Sequence, residues 1–562
     1  MKFNDMPYVR PNLDEVKATY KDFIKKINEA KSADETIKTI KNFSVFSKDL
    51  NTMAGLSEVR NSINSNDEFY DKEKDFFNEA RPIFGNLYSE FAKAVLNSKF
   101  KEDIRKQIGD HYLKLLDCSL VLKEDAIPFM QKENALISKY QNLLANSKIE
   151  FEKKTYTLTQ MAPLLQDVDR ERRKAAYDAK WAWFEKNEAE LDSIYEEMVK
   201  TRDQMAKALG YKDYIDFRYK ELCRTDYDRD DSALYRKKIL KNISPLAMKL
   251  RKDQAKDIGL GDDFKFYDRP VEFKDGNPIP QGDKDFIVSN AKLMYRELSK
   301  ETGEFFDFMV NNDLMDLVAA PGKRGGGYCT SFDKYKSPFI FSNFNGTKGD
   351  IDVITHEAGH AFQNYMSQYQ EIEEYIWPTY EACEIHSMSM EFLTWPWMEK
   401  FFDDADKFRY SALKDAICFL PYGVTVDHFQ EWVYENPNAS PAERKAKYKE
   451  LELTYQPDLN YDNDFLNKGT YWFGQMHIFT SPLYYIDYTL AQVCAFQYLL
   501  KYLQDKDKTL QEYITLCKAG GSKAFFDLIE IGKIKNPMTS DVIKEMKPKL
   551  ENLLADLKTK IK

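Results

Sequence analysis

His356-Glu357-Ala358-Gly359-His360 reads H-E-x-x-H. On a helix, two histidines four apart leave from one face and can grip a single metal ion. The glutamate between them sits one residue round, within reach of a water on that metal. The chain holds only six histidines, and two stand here. The spacing asks for a helix over this stretch, with Asp350 or Asp352 able to cap its start.

Just before that helix the pattern changes. Residues 319–350 carry a Gly-rich run, 322–327, then Pro338-Phe339-Ile340-Phe341-Ser342-Asn343-Phe344. Apolar and aromatic residues between turn signals predict a small hairpin or sheet next to the motif helix. The Gly-rich run is not a phosphate loop, because Lys323 is followed by Arg324 rather than Ser or Thr. Gly325, Gly326, Gly327 and Tyr328 are expected to form an exposed strand edge that pairs with an extended peptide. A tight turn without substrate contact is the bland alternative.

Just after the helix comes Tyr380-Glu381-Ala382-Cys383-Glu384-Ile385-His386-Ser387-Met388-Ser389-Met390-Glu391. A catalytic zinc needs three protein ligands and an open position. Glu381, Glu384, Met388 and Glu391 share one helical face, and carboxylates on an otherwise apolar segment are costly unless paired or metal-bound. Glu384 is therefore the expected third ligand beside His356 and His360. Glu381 and Glu391 are candidates to accept hydrogen bonds from the ligand rings. His386 points to another face and reads as a core histidine, or one that supports a ligand from behind, rather than a ligand.

Elsewhere the chain is mainly α. Glycine is 22 of 562 residues, and long stretches rich in Glu, Lys, Ala and Leu have helical spacing. A long amphipathic run covers 167–208 and closes on Gly210. Residues 259–285 break the pattern as a loop with short strand pieces. Charged residues make up 31% and net charge is −10, with no isolated basic block, which argues against nucleic acid or an anionic membrane as partner. No run is apolar enough for a membrane span and the first residues lack a signal-peptide core. Seven cysteines at wide spacing read as reduced thiols, so a cytoplasmic protein is expected.

H-E-A-G-H followed by E-I-H-S-M-S-M-E resembles the M3 family of zinc oligopeptidases, in its oligoendopeptidase F and Pz-peptidase branch. G-K-R-G-G-G-Y-C at 322–329, S-P-F-I-F-S-N-F-N-G-T at 337–347, the stretch from His477 to Gln492 and R-x-x-R-K-A-A-Y from Arg170 carry the same resemblance. It covers roughly residues 165–550. It implies a two-lobed helical shell around a deep substrate channel, with an N-terminal helical region at 1–165 and the catalytic region at 166–562. It implies one Zn2+ on His356, His360 and Glu384, with Glu357 as general base. His477, Tyr485 and Tyr488 are then expected near the scissile carbonyl, with Tyr488 the first choice for oxyanion donor and Tyr485 the second. The His477–tyrosine spacing is one residue shorter than in mammalian relatives, so Tyr484, Tyr485 and Tyr488 are exchangeable in role. Read without the resemblance, these tyrosines make an aromatic core face. The implied substrates are short unfolded peptides cut internally. A helical zinc carboxypeptidase and a catalytically dead peptide-binding scaffold are the alternatives.

Overall fold

The computed structural model describes residues 1–561 and is built mostly of helices. Short polar side chains set many helix starts. Asn12, Ser32, Asp67, Asp169, Asp213 and Asp283 each accept a backbone N–H from the first turn, satisfying donors that the helix itself leaves open. The run expected over 167–208 is two helices, Arg170–Lys186 and Glu188–Ala208. They part at Asn187, whose side-chain amide donates to the Trp183 carbonyl at 2.7 Å and so competes with the helical ladder. The second helix closes on Gly210 at φ +84°, as its sequence predicts. Residues 259–285 hold two 3-10 turns, Gly261–Asp263 and Phe266–Asp268, and no described strand, against the expectation of strand pieces.

Five short strands are described: β1 (Ile149–Phe151), β2 (Lys154–Tyr156), β3 (Met315–Val318), β4 (Tyr328–Phe332) and β5 (Ser337–Phe344). β1 and β2 form a hairpin. The sheet beside the motif helix has the order β3-β5-β4, with β4 antiparallel and β3 parallel to the buried β5. β4 is therefore an edge strand. Its Phe332 end packs against helix Ala33–Ile63, where Gly55 leaves room for the Phe332 ring.

One large core runs from Phe3 to Leu557 and includes this sheet, and a smaller one draws on residues 16–116 with Ile372 and Tyr375. Helices Tyr380–Leu393 and Tyr485–Tyr502 are buried on nearly every face, as segments that are apolar all round should be. No described helix is long and apolar enough to cross a membrane. One expectation is corrected. Cys118 and Cys223 form a disulfide across 105 positions, with Cα atoms 5.6 Å apart. The packing of helix Asp110–Ser119 near the turn after Tyr214–Glu221 brings them together, which their spacing along the chain does not reveal. Cys329, Cys383, Cys418, Cys494 and Cys517 are free thiols.

Candidate metal centre

The motif occupies helix Gly349–Ser367. Neither expected cap serves as one. Lys348 holds the N-cap position. Asp350 reaches back to the backbone N–H groups of Asn345 and Gly346, at 2.9 Å each, and Asp352 pairs with Lys348 at 3.0 Å. The motif helix lies against helix Tyr380–Leu393, and Gly359 is the point of contact. A Cβ there would stand 2.5 Å from Ser387 Cα and 2.6 Å from the His386 carbonyl oxygen. Only glycine lets the two backbones come this close. That approach brings Glu384 to the two motif histidines.

Glu384 Oε2 lies 3.3 Å from His356 Nε2 and 3.4 Å from His360 Nε2. Tetrahedral donors at bonds of about 2.0–2.1 Å stand roughly 3.3–3.4 Å apart, so these separations fit a small four-coordinate ion. On the far side of its ring, His356 Nδ1 meets Glu391 Oε1 at 2.7 Å, which turns Nε2 toward Glu384. Burial works to raise the Glu384 carboxyl, yet His360 and His356 hold it well below the usual carboxylate range. Glu381 departs from its expected role. It accepts from Tyr227 and stands 3.9 Å from Arg224, and among the described residues no histidine ring donates to it. One helical turn before Glu384, it faces a different neighbour. His386 is fully buried with both ring nitrogens unpartnered.

Glu357 is 6% exposed, and its Oε2 is buried without a partner. Burial pushes its carboxyl above the ordinary value. The Gly-rich run passes directly over it: a Cβ on Gly327 would stand 3.5 Å from Glu357 Oε1, and one on Gly326 would stand 4.0 Å from Met476 Cε. Gly325 lies instead beside Thr159. Tyr328 turns its ring away, stacked on Phe341 at 4.8 Å, so only its backbone belongs to the strand edge.

Helix Tyr485–Tyr502 brings the tyrosines in from the other side. Tyr484 donates to Glu384 Oε1. The Tyr488 hydroxyl lies 3.1 Å from His477 Nε2. Gln475 fixes the opposite edge of that imidazole, with Nε2 2.8 Å from His477 Nδ1, and its Oε1 receives the hydroxyls of Tyr422 at 2.6 Å and Tyr485 at 3.3 Å. Burial holds His477 down to about 4, so its ring is neutral near pH 7. Burial and the nearby Glu384 push Tyr488 well above the ordinary phenol value, so it keeps its proton and can donate.

The chain matches peptidase family M3 over residues 163–276 and 302–548, and the peptidase M3 N-terminal domain over residues 3–122. This chain belongs to peptidase family M3. It is thus a peptidase, a hydrolase of a metallopeptidase family. It is similar to a solved Pz peptidase A with an inhibitor, at 45% identity, 99% coverage of each chain and a TM-score of 0.97. An oligoendopeptidase F homolog from Borreliella burgdorferi is 22% identical over 83% of this chain and 82% of that protein. A second, from Mycoplasma genitalium, is 22% identical over 68% of this chain and 66% of that protein, just under two thirds of its length.

Three parts of this M3 site escape a reading of the sequence. Gln475 stands two residues before His477, where a polar residue beside a functional histidine was the available signal. Tyr422 comes from helix Ala405–Glu435, and nothing nearby in sequence marks it. The third is the set of partners around Glu381: Tyr227 donates to it, and Arg224 beside it binds the buried Asp487.

Proposed function

We propose that this chain is a zinc endopeptidase that cuts internal bonds of short, extended peptides. The observation that carries the reading is the unpartnered Glu357 carboxylate, set between a converging His356–His360–Glu384 donor set and an open strand edge. Two imidazoles and a carboxylate suit zinc in a catalytic site. A metal held there would lower the pKa of a water and polarise the scissile carbonyl.

The chain's own groups supply the rest. The free edge of β4, at Gly327 to Thr330, offers backbone donors and acceptors to an extended peptide, and glycine lets that peptide approach. Glu357 accepts the proton of the attacking water and returns it to the leaving amine nitrogen; burial brings its carboxyl closer to the working pH, as a general base requires. Tyr488 donates to the carbonyl oxygen as negative charge develops, with His477 orienting the phenol and Gln475 orienting His477. Tyr485 and Tyr484 are the alternate donors. An edge strand can hold a substrate on both sides of the cut, which favours an endopeptidase over a carboxypeptidase. The cytoplasm remains the proposed location, on the five free thiols; the Cys118–Cys223 bridge weighs against it.

Glu357→Gln is expected to bind zinc as the wild type does and to lose peptide cleavage by at least about 100-fold. Glu384→Ala is expected to lose zinc. Turnover retained in the first variant, or full zinc content in the second by metal analysis, would overturn the corresponding assignment.

A further inference from the structure

Lys220-Glu221-Leu222-Cys223-Arg224 ends helix Tyr214–Glu221 with a reversal that proteins usually give to glycine. The Cys223 N–H bonds the Lys220 carbonyl and the Arg224 N–H bonds the Tyr219 carbonyl, each at 3.0 Å, which is the Schellman pattern. Its central residue must be left-handed, and Cys223 stands at φ +56°. A residue with a Cβ is disfavoured there, so its surroundings have to hold it. They hold it covalently. Cys223 is bonded to Cys118 on helix Asp110–Ser119. Lys220 adds an exposed ion pair with Asp117 at 2.9 Å, a weak tie by comparison.

The reversal decides where Arg224 goes. Its side chain turns inward, 1% exposed, and lies over the rings of Tyr219 and Tyr227 at 4.5 and 5.5 Å. It bonds the Leu483 carbonyl at 2.6 Å and Asp487 Oδ1 at 2.8 Å. Each of these contacts falls one residue before a tyrosine of the proposed site. Tyr484 follows Leu483 and donates to Glu384, and Tyr488 follows Asp487 and meets His477. The covalent bond is thus one residue from Arg224, and Arg224 holds the chain one residue from both tyrosines. The outer end of this relay lies near the surface, since Cys223 is half-buried and Thr225 exposed.

We propose that the Cys118–Cys223 disulfide positions the tyrosines of the site through Arg224, and that a dithiol reductant therefore lowers turnover while zinc stays bound. The proposal rests on the peptidase reading above and adds a control to it. A thiolate of the reductant attacks Cys223 Sγ and breaks the S–S bond; Cys118 leaves as a thiolate and takes a proton. The second thiol of the reductant then closes on the mixed disulfide, which frees the Cys223 thiol. Two electrons and two protons pass to the chain, and the reductant leaves as its own disulfide. Without the bond, Cys223 relaxes from the left-handed region and Arg224 loses its aim. A disulfide that forms among reduced thiols is usually a catalytic or redox-sensing one, and five free thiols accompany this one.

Thiol titration in denaturant should count five thiols in the isolated protein and seven after reduction; seven at the outset overturns the proposal. In the zinc-loaded enzyme, Cys118→Ser should lower kcat by about fivefold or more, with KM and zinc content unchanged, as partial displacement of an oxyanion donor requires. Cys118→Ser/Cys223→Gly should recover kcat to within about twofold of the wild type, because glycine takes the left-handed turn unaided. Reduction should bring the wild type to the level of Cys118→Ser and leave both variants unchanged. An unchanged kcat in Cys118→Ser, or a double variant as slow as the single one, overturns the proposal. If the wild type cleaves no peptide, the peptidase reading fails instead, and hydrogen exchange on Glu357→Gln protein still tests the relay. There the amides of residues 483–488 should exchange faster once Cys118→Ser is added and return to the original rate with the further Cys223→Gly. Equal exchange in all three overturns the positioning.

Discussion

Gly359 decides more about the centre than its size suggests. Any side chain there meets backbone atoms of Ser387 and His386, which cannot rotate aside. Gly359→Ala should push the ligand-bearing helices apart and move Glu384 off the two imidazoles. We expect a loss of stability of about 1–3 kcal/mol from overpacking and a fall in zinc affinity of about tenfold or more, the scale of a disturbed supporting shell. Competition with a chelator measures the second quantity, and an unchanged zinc affinity would show that the helix spacing does not set the site. The x-x of H-E-x-x-H thus carries information that the bare motif hides. Motif spacing placed His356, Glu357 and His360 on one helix, and the carboxylate stripe pointed to Glu384. The same stripe could not tell Glu391, which reaches His356, from Glu381, which does not. Helical spacing gives a face, whereas the partner depends on which neighbouring helix covers each turn of it.

Among the elements, helix Tyr485–Tyr502 matters most, since its first turn carries Tyr485 and Tyr488. Asp487 lies fully buried between them, and Arg224 binds both Asp487 Oδ1 at 2.8 Å and the Leu483 carbonyl at 2.6 Å. Tyr227 joins the same group to Glu381 on helix Tyr380–Leu393. Arg224 therefore fixes the tyrosine helix against helix Tyr380–Leu393, which carries Glu384. Arg224→Gln leaves a buried carboxylate uncompensated, at a cost of about 3–5 kcal/mol, and should lower turnover by displacing the tyrosines. A denaturant midpoint equal to that of the wild type would remove this role. No sequence pattern points to Arg224, because its partners lie more than 150 positions away. A different limit explains the Asn187 break, whose partner Trp183 is only four residues away, and the unformed strand pieces of 259–285. Local periodicity reports which face is apolar, and it cannot report where a polar side chain captures a carbonyl or whether a loop finds a strand to pair with.

At the scale of the whole molecule, the four histidines outside the H-E-x-x-H motif set an acid limit. Burial holds His111, His428 and His477 to about 4 and His386 to about 3 in the folded chain. In the unfolded chain each returns to about 6.5. As pH falls below about 6.5 the unfolded chain takes up protons that the folded chain refuses, so this stability is present above that pH and lost toward 4. Urea midpoints of chelated protein at pH 7 and pH 5 should show the drop. A His111→Asn/His428→Gln variant should lose less between the two values. An equal loss would mean that other groups govern acid unfolding.

The close approach at Gly359 has a further consequence for motion. Two helices whose backbones touch cannot slide past each other without a clash, and the His356–Glu391 bond fastens them a second time. Any displacement that parted the two helices would have to break both contacts, so the spacing of the three donor atoms is built into the packing of helices Gly349–Ser367 and Tyr380–Leu393.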